Sequence, residues 1–198
     1  MTLKRLNVIA AVASNGGIGK ANKLPWKISI LFAEPSCNKK RIWTFSPELQ
    51  RLLKKVCHLW YVINLVPLGR RNAVILGRNT WASIPPKFRP LPNRINVIVS
   101  TQLESSFDDS IRLVESLHDD GLVDEVFVIG GSRIYEAALE QKAYPVRIYC
   151  THIMRDFDCD VFFPSLDWQQ LRSVKLDTVD SCVKHCGDIE FRFAVYDL

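Results

Sequence analysis

A chain of 198 residues with 47% apolar side chains can bury a full core, and a charged fraction of 24% excludes a disordered segment. The formal charge of +5 suits an anionic ligand or plain surface solubility, while the basic cluster Lys39-Lys40-Arg41 beside Trp43 is too short for a nucleic-acid interface. The longest apolar run, 59–68, is broken by Asn64 and Pro67 and is too short for a membrane span, and "MTLKRLNVIAAVA" lacks the apolar core of a secretory leader.

Taken in chain order, the β-branched run at 6–13 predicts a first strand. It leads into "NGGIGK" (15–20), which lacks the GxxxxGK[ST] spacing of a phosphate loop. The stretch 46–60 predicts an amphipathic helix, with Ser46 as N-cap, Pro47 at the first helical position, and Leu49, Leu52, Leu53, Val56 and Trp60 on one face. Further strands are expected at 71–77, 94–100, 110–116, 124–131 and 146–152, several of them continuous apolar runs of the kind buried on both faces of a parallel sheet. Helices are expected after Gly77 and over 132–141. At the end of the chain, 173–181 and 188–197 alternate polar with apolar around Gly187 and predict an antiparallel hairpin. The expected fold class is therefore α/β: a single domain with a mixed, mostly parallel central β-sheet, flanking helices and a C-terminal antiparallel hairpin.

Six cysteines (37, 57, 150, 159, 182 and 186) form no CxxC pair, which predicts reduced thiols and a cytoplasmic protein. Cys182, His185 and Cys186 lie close together, but a second ligand pair is missing and no metal is expected.

Two places carry chemistry. In "VFVIGGSRIY" (126–135) a strand ends in Gly130-Gly131 immediately before a helix, so that backbone N–H groups can approach a phosphate. The same glycines would also serve a simple strand-to-helix turn. In "ILGRNTWASIP" (75–85) a strand, Gly77 and a short helix bring Arg78 and Thr80 to a similar position, where Arg78 suits an additional phosphate.

These blocks, with "IAAVASNGGIGKANKLPW" (9–26), "VILGRNTWASIPPKFRPLPNRINVIVS" (74–100) and "THIMRDFDCDVFFP" (151–164), stand in an order that resembles dihydrofolate reductase. The resemblance implies reduction of dihydrofolate by NADPH, with hydride transfer to C6 and protonation at N5. It implies a pocket for the pteridine and aminobenzoyl groups lined by Ile9, Ala11, Trp26, Leu49, Leu52, Ile84, Arg89 and Leu91, with Arg94 on the glutamate α-carboxylate. Arg78, Ser100 and Thr101 would read the 2′-phosphate. Gly77, Asn79, Thr80, Ile129, Gly130, Gly131, Ser132, Arg133 and Ile134 would hold the rest of the cofactor, with Ala11, Ile18 and Tyr135 around the nicotinamide. Residues 15–23 would form a loop that closes over it, the Gly130–Gly131 peptide would be cis, and Thr151 and Trp26 would assist the catalytic acid. A small-molecule substrate, no nucleic acid or membrane partner and a monomer are expected. A same-fold reductase of another pteridine or pyrimidine, and a non-catalytic folate- or nucleotide-binding relative, are the alternatives. Single residues also have plainer readings: Trp81, Ile84 and Leu91 suit core packing, and Thr151 suits a strand by propensity.

Two carboxylates compete for the role of acid. Glu34 lies nearer Trp26, but Pro35 follows it and disfavours helix. Glu48 sits in the first turn of the expected helix, with Leu49 and Leu52 beside it, and is favoured; 27–45 is then an inserted excursion. Two further departures from the family are expected. Little room for a helix remains between Ser116 and Gly130, and Phe88 stands where vertebrate members carry a polar residue.

Overall fold

The computed structural model describes residues 3–26, 66–100, 106–177 and 179–198. Glu34, Glu48, Leu49, Leu52, Thr101 and the helix expected over 46–60 lie outside the described residues.

The first strand organises everything else. β1 (Leu6–Ala13) is buried along nearly its whole length because both of its faces are covered. It runs parallel to β5 (Val123–Val128) on one side and to β6 (Val146–Ile153) on the other. β3 (Arg71–Gly77) lies beyond β5, and β4 (Arg94–Val99) lies beyond β3, both parallel. On the far side β10 (Ile189–Asp197) runs antiparallel to β6 and carries the short strands β8 (Arg172–Ser173) and β9 (Lys184–Cys186). Among the described residues this makes an eight-stranded mixed sheet, ordered β4-β3-β5-β1-β6-β10-β8 with β9 also on β10. A separate two-stranded sheet joins β2 (Gly17–Gly19) to β7 (Val161–Phe162).

The two faces of the sheet carry different loads. Leu6, Val8, Ala10 and Val12 point into one core with Phe107, Ile111 and Val114 of α2 (Phe107–Asp119) and Tyr135, Ala138 and Leu139 of α3 (Ser132–Glu140). Ile9 and Ala13 belong to the opposite face. There Ile9, Val74, Leu76, Phe127, Tyr149 and Val195 form one cluster, with Trp81 from the short helix α1 (Arg78–Ser83) against it. Ala13, Trp26, Ile153, Phe191 and Phe193 form another.

The sheet class agrees with the sequence reading, and two segments correct it. Residues 110–116 are not a strand: they form the middle of α2. Ser106 caps this helix through a capping box with Asp109, and Phe107, Ser110, Ile111, Val114 and His118 fall on one buried stripe. The β-branched run that suggested a strand serves the helix instead, with Ile111 and Val114 buried and Leu113 exposed. The helix that had no room after Ser116 is the one that precedes it. Of the expected strand 173–181, only Ser173 falls within β8 and so in the pairing with the last strand among the described residues. The hairpin across Gly187 is built from Lys184–Cys186 and Ile189–Phe191, because Gly187 takes the left-handed turn conformation there (φ 62°). No helix among the described residues is long and apolar enough to cross a membrane.

The far edge of the sheet is tied by charge. Arg147 of β6 grips Asp197 of β10 with two hydrogen bonds, 2.7 and 3.0 Å, and Arg172 closes on the same carboxylate. The Arg147 hydrogen bonds hold the Asp197 carboxyl below the usual range, against the opposing effect of burial. A folded-state value lowered in this way gives stability that is present above about pH 4 and is lost as the pH falls below it. Asp197→Asn should therefore cost about 1.5–3 kcal/mol at neutral pH and flatten the loss of stability on acidification, read by urea unfolding at pH 7 and pH 3. An unchanged acid dependence would show that this pair contributes nothing.

Candidate active site

Strand pairing itself opens the crevice. β1 and β5 are paired only from Leu6↔Val126 to Val8↔Val128, whereas β1 and β6 stay together as far as Ala13↔Ile153. From β1 the chain returns to the sheet at β3, on one side; from β5 it crosses to β6, on the other. The carboxyl ends of these adjacent strands thus part at a topological switch point, where open α/β sheets place their ligands.

Where β5 leaves, the carbonyl of Ile9 accepts a hydrogen bond from the hydroxyl of Tyr135 at 2.7 Å. Burial pushes the Tyr135 phenol well above its usual range, so it stays protonated and holds this bond. Its ring lies against Gly130, where φ is +105° and an added Cβ would stand 3.0 Å from the ring. Gly130 is required on both counts. The turn is joined to β3, with Gly77 N–H donating to Gly130 O at 2.7 Å and Ile129 N–H to Ile75 O at 3.0 Å. The Gly130–Gly131 peptide is cis, as the resemblance implied. A Cβ on Gly131 would meet Thr80 Oγ1 at 3.2 Å, so the backbone of this turn and the Thr80 hydroxyl share one tight corner. Ile134 and Tyr135 donate to Gly131 O, leaving the N–H groups of Ser132 and Arg133 at the open end of α3. The carboxyl ends of β3 and β4 are in register at Gly77↔Val99, which sets Arg78 and the buried Ser100 at neighbouring strand ends.

The second half of the site lies on the face carrying Ile9. Register places Ile9 beside Tyr149 and Ala11 beside Thr151, with Phe193 on the other side of Thr151. Trp26 is buried next to Phe157, ring centroids 5.4 Å apart, and Ile84 and Leu91 pack against the Ile9 cluster. Two polar atoms are buried here without a hydrogen-bond partner among the described residues, Thr151 Oγ1 and Trp26 Nε1. Leaving such a group unpaired costs about 1–3 kcal/mol, so an apolar wall that keeps two of them is built for a ligand with polar edges.

Beyond Ile84 the chain makes a 3-10 turn at Pro86–Phe88 and a cis Arg89–Pro90 bond. The Arg89 guanidinium sits 5.6 Å over the Trp81 ring, and the Lys87 ammonium 4.8 Å over Phe88, which is 45% exposed. Arg94 Nε donates to Pro92 O at 2.9 Å. The sequence reading missed Asn96. Its side chain accepts from Leu91 N at 3.0 Å and donates to Leu91 O and Arg94 O, fixing the bend that carries Leu91 and Arg94. A polar residue inside the apolar run 94–100 was the available signal.

The loop 14–23 is clasped rather than loose. Asn15 Nδ2 donates to Phe157 O at 2.7 Å, Ala21 N to Asp160 Oδ2 at 2.8 Å, Phe163 N to Gly16 O at 2.9 Å, and Lys20 pairs with Asp158. A Cβ on Gly17 would overlap the Cys159 thiol at 2.3 Å, so this clasp needs a glycine. The anchors Asp158 and Asp160 were also missed. The structure brings together the residues flanking Gly77 and Gly130 at one corner and sets those around Ile9 and Thr151 on one face of the sheet.

A family model described as dihydrofolate reductase matches residues 67–197. The dihydrofolate reductase of Schistosoma mansoni is 40% identical over 203 residues, covering 98% of this chain and 96% of the relative. That of Rattus norvegicus is 34% identical over 206 residues, with 98% of each covered. The solved structure of Schistosoma mansoni dihydrofolate reductase superposes with a TM-score of 0.74 at 38% identity, covering 99% of both chains.

Gly130→Ala tests the corner. It combines the left-handed backbone cost, about 1 kcal/mol, with the collision against Tyr135, whereas Gly121→Ala, at φ +75° with open space around it, carries the backbone cost alone. Thermal or urea unfolding should show Gly130→Ala as clearly the more destabilising of the two. Equal losses would mean that the Tyr135 ring does not define this turn.

Proposed function

The chain belongs to the dihydrofolate reductase family and reduces dihydrofolate with a nicotinamide cofactor, and from that premise we propose that the cofactor is NADPH and assign the site residues their parts. The observation that carries the assignment is a pair of buried polar atoms without a partner among the described residues, Thr151 Oγ1 and Trp26 Nε1, on the apolar wall around Ala11, whose strand β1 lies beside the strand that ends at Gly130-Gly131. A pteridine offers flat apolar faces and hydrogen-bonding edges, and that wall suits both.

The cofactor supplies the hydride. Its pyrophosphate would sit at the head of α3, where the N–H groups of Ser132 and Arg133 lie at the open helix end and the Thr80 hydroxyl stands against Gly131. Gly77, Asn79, Ile129, Gly130 and Ile134 shape the surrounding cradle. Arg78, with Ser100 and Thr101, takes the 2′-phosphate. Ala11 and Ile18 bound the nicotinamide, and Tyr135 holds the strand behind it.

Ile9, Ala11, Ile84, Arg89 and Leu91, with Leu49 and Leu52, enclose the pteridine and aminobenzoyl groups. Arg94 takes the glutamate α-carboxylate, a task suited to a guanidinium fork. Thr151 presents one hydroxyl donor and two lone pairs to the 2-amino edge and to the acid. Glu48 is that acid. In an apolar pocket its charged form is disfavoured, which raises its pKa toward neutrality and lets it assist protonation at N5. The chain is then one reductase domain over 1–198 with 27–45 inserted, acting as a cytoplasmic monomer without nucleic-acid or membrane partners. Alignment over nearly the full length of two reductases supports a single domain.

The cofactor assignment rests on Arg78. Losing a charge-assisted contact to a phosphate costs about 1.5–3 kcal/mol, roughly tenfold or more in affinity. Arg78→Ala should weaken NADPH by that factor and leave NADH nearly unchanged, as read by steady-state KM for each. Equal losses with both cofactors would remove Arg78 from the 2′-phosphate site.

A further inference from the structure

We propose that Ser132 is a positioning residue that ties the strand pair β2–β7, and with it the loop over the nicotinamide site, to the head of α3, and that its hydroxyl is therefore not a phosphate ligand. The proposal deepens the reading of the site as a nicotinamide-cofactor site and rests on it.

The geometry is specific. Ser132 Oγ donates to Phe162 O at 2.6 Å, a short contact between residues thirty apart in the chain. A serine hydroxyl has one proton, and here that proton is committed to a carbonyl. It cannot be donated at the same time to a phosphate oxygen, which can only accept. The backbone N–H of Ser132 still faces the open end of α3, so the residue divides its work between a main-chain donor for the ligand and a side-chain donor for the protein.

What the hydroxyl holds is the loop. Phe162 lies in β7, which pairs with Gly17 of β2, and the next residue, Phe163, donates its N–H to Gly16 O at 2.9 Å. Gly16 and Gly17 belong to the loop that follows β1. Phe163 also packs on Tyr135 of α3 with ring centroids 5.0 Å apart, so the hydrogen bond from Ser132 lies beside an apolar contact between the same two elements. Ser106 is the useful contrast: at the head of α2 it caps its own helix, accepting from Asp109 N at 3.1 Å. Ser132 sits one residue inside α3, behind Gly131, and reaches out of the helix. The head of the helix that receives the cofactor phosphates and the loop that covers the nicotinamide are thereby joined through one side chain.

The test compares Ser132→Ala with Ser132→Thr, which keeps the hydroxyl. In the ligand-free protein, amide hydrogen exchange at residues 16–19 and 161–163 should rise in Ser132→Ala and return in Ser132→Thr. Affinity for 2′-phospho-ADP-ribose, which carries the phosphates but no nicotinamide, should stay within about twofold of the parent in Ser132→Ala. Single-turnover hydride transfer should slow about five- to tenfold, the scale of one lost hydrogen bond, and recover with threonine. A tenfold or greater loss of 2′-phospho-ADP-ribose affinity in Ser132→Ala would make the hydroxyl a phosphate ligand and overturn the proposal. Unchanged hydrogen exchange in Ser132→Ala would overturn it equally. If the parent protein fails to oxidise NADPH with dihydrofolate, the reading of the function fails, while hydrogen exchange in the free protein still decides whether the tether exists.

Discussion

The hydrogen bond from Tyr135 to the carbonyl of Ile9 is the constraint around which the site is arranged. A central strand has carbonyls on both edges, and a parallel neighbour normally satisfies each. On the edge where β5 parts from β1 after Val8, the next carbonyl would be buried without a partner, at a cost of about 1–3 kcal/mol. Tyr135 removes that cost from one turn inside α3. Its ring then needs space at the end of β5, which Gly130 provides, and the glycine pair leaves the first N–H groups of α3 uncovered. A crevice, an open helix end and a fixed β1 thus follow from one way of ending a strand pair. On the proposed reading, that crevice brings a pteridine and a nicotinamide together at Ala11.

The two faces of the sheet share the work unequally. The face covered by α2 and α3 is continuous apolar packing, with Val114, Val126, Val128 and Ile148 wholly buried. On the opposite face the buried apolar residues fall into two clusters, and the Thr151 hydroxyl, without a partner among the described residues, belongs to neither. The first face supplies stability; the second gives some of it up for polar groups that a ligand can meet. The loop 14–23 belongs to the second, held by Asn15, Lys20 and Ala21 to the segment 157–160 and by Phe163 to the segment that Ser132 anchors.

Much of this was legible in the sequence because it follows from short-range rules. The runs at 6–13, 71–77 and 146–152 read as strands because buried parallel strands are continuously apolar, and Gly130-Gly131 before a helix reads as a tight strand-to-helix turn because few other pairs allow it. At 110–116 the β-branched Ile111 and Val114 suggested a strand, but they stand three apart on one helical face, and the Ser106–Asp109 capping box was the stronger signal. The C-terminal hairpin was placed too early because alternation in 173–181 does not reveal which segment reaches β10 first. The remainder was beyond any periodicity. The contacts of Tyr135 with Ile9, Asn15 with Phe157 and Ser132 with Phe162 join residues 126, 142 and 30 positions apart. Ser132 and Tyr135 both matched the family pattern, yet the pattern gives no hint that both hydroxyl protons are already used within the protein.

The central claim is that the pteridine and nicotinamide subsites meet at Ala11, on the half of β1 that β5 has released. Its most direct measurement is single-turnover transfer of deuterium from 4-deuterated NADPH to C6 of dihydrofolate, in the parent protein and in Ala11→Leu. The account predicts deuterium at C6 with the parent. With Ala11→Leu it predicts loss of transfer by two orders of magnitude or so, because misplacing reacting groups by about an ångström carries that penalty, while circular dichroism and unfolding show a folded chain. Transfer at the parent rate in a folded Ala11→Leu protein would contradict it.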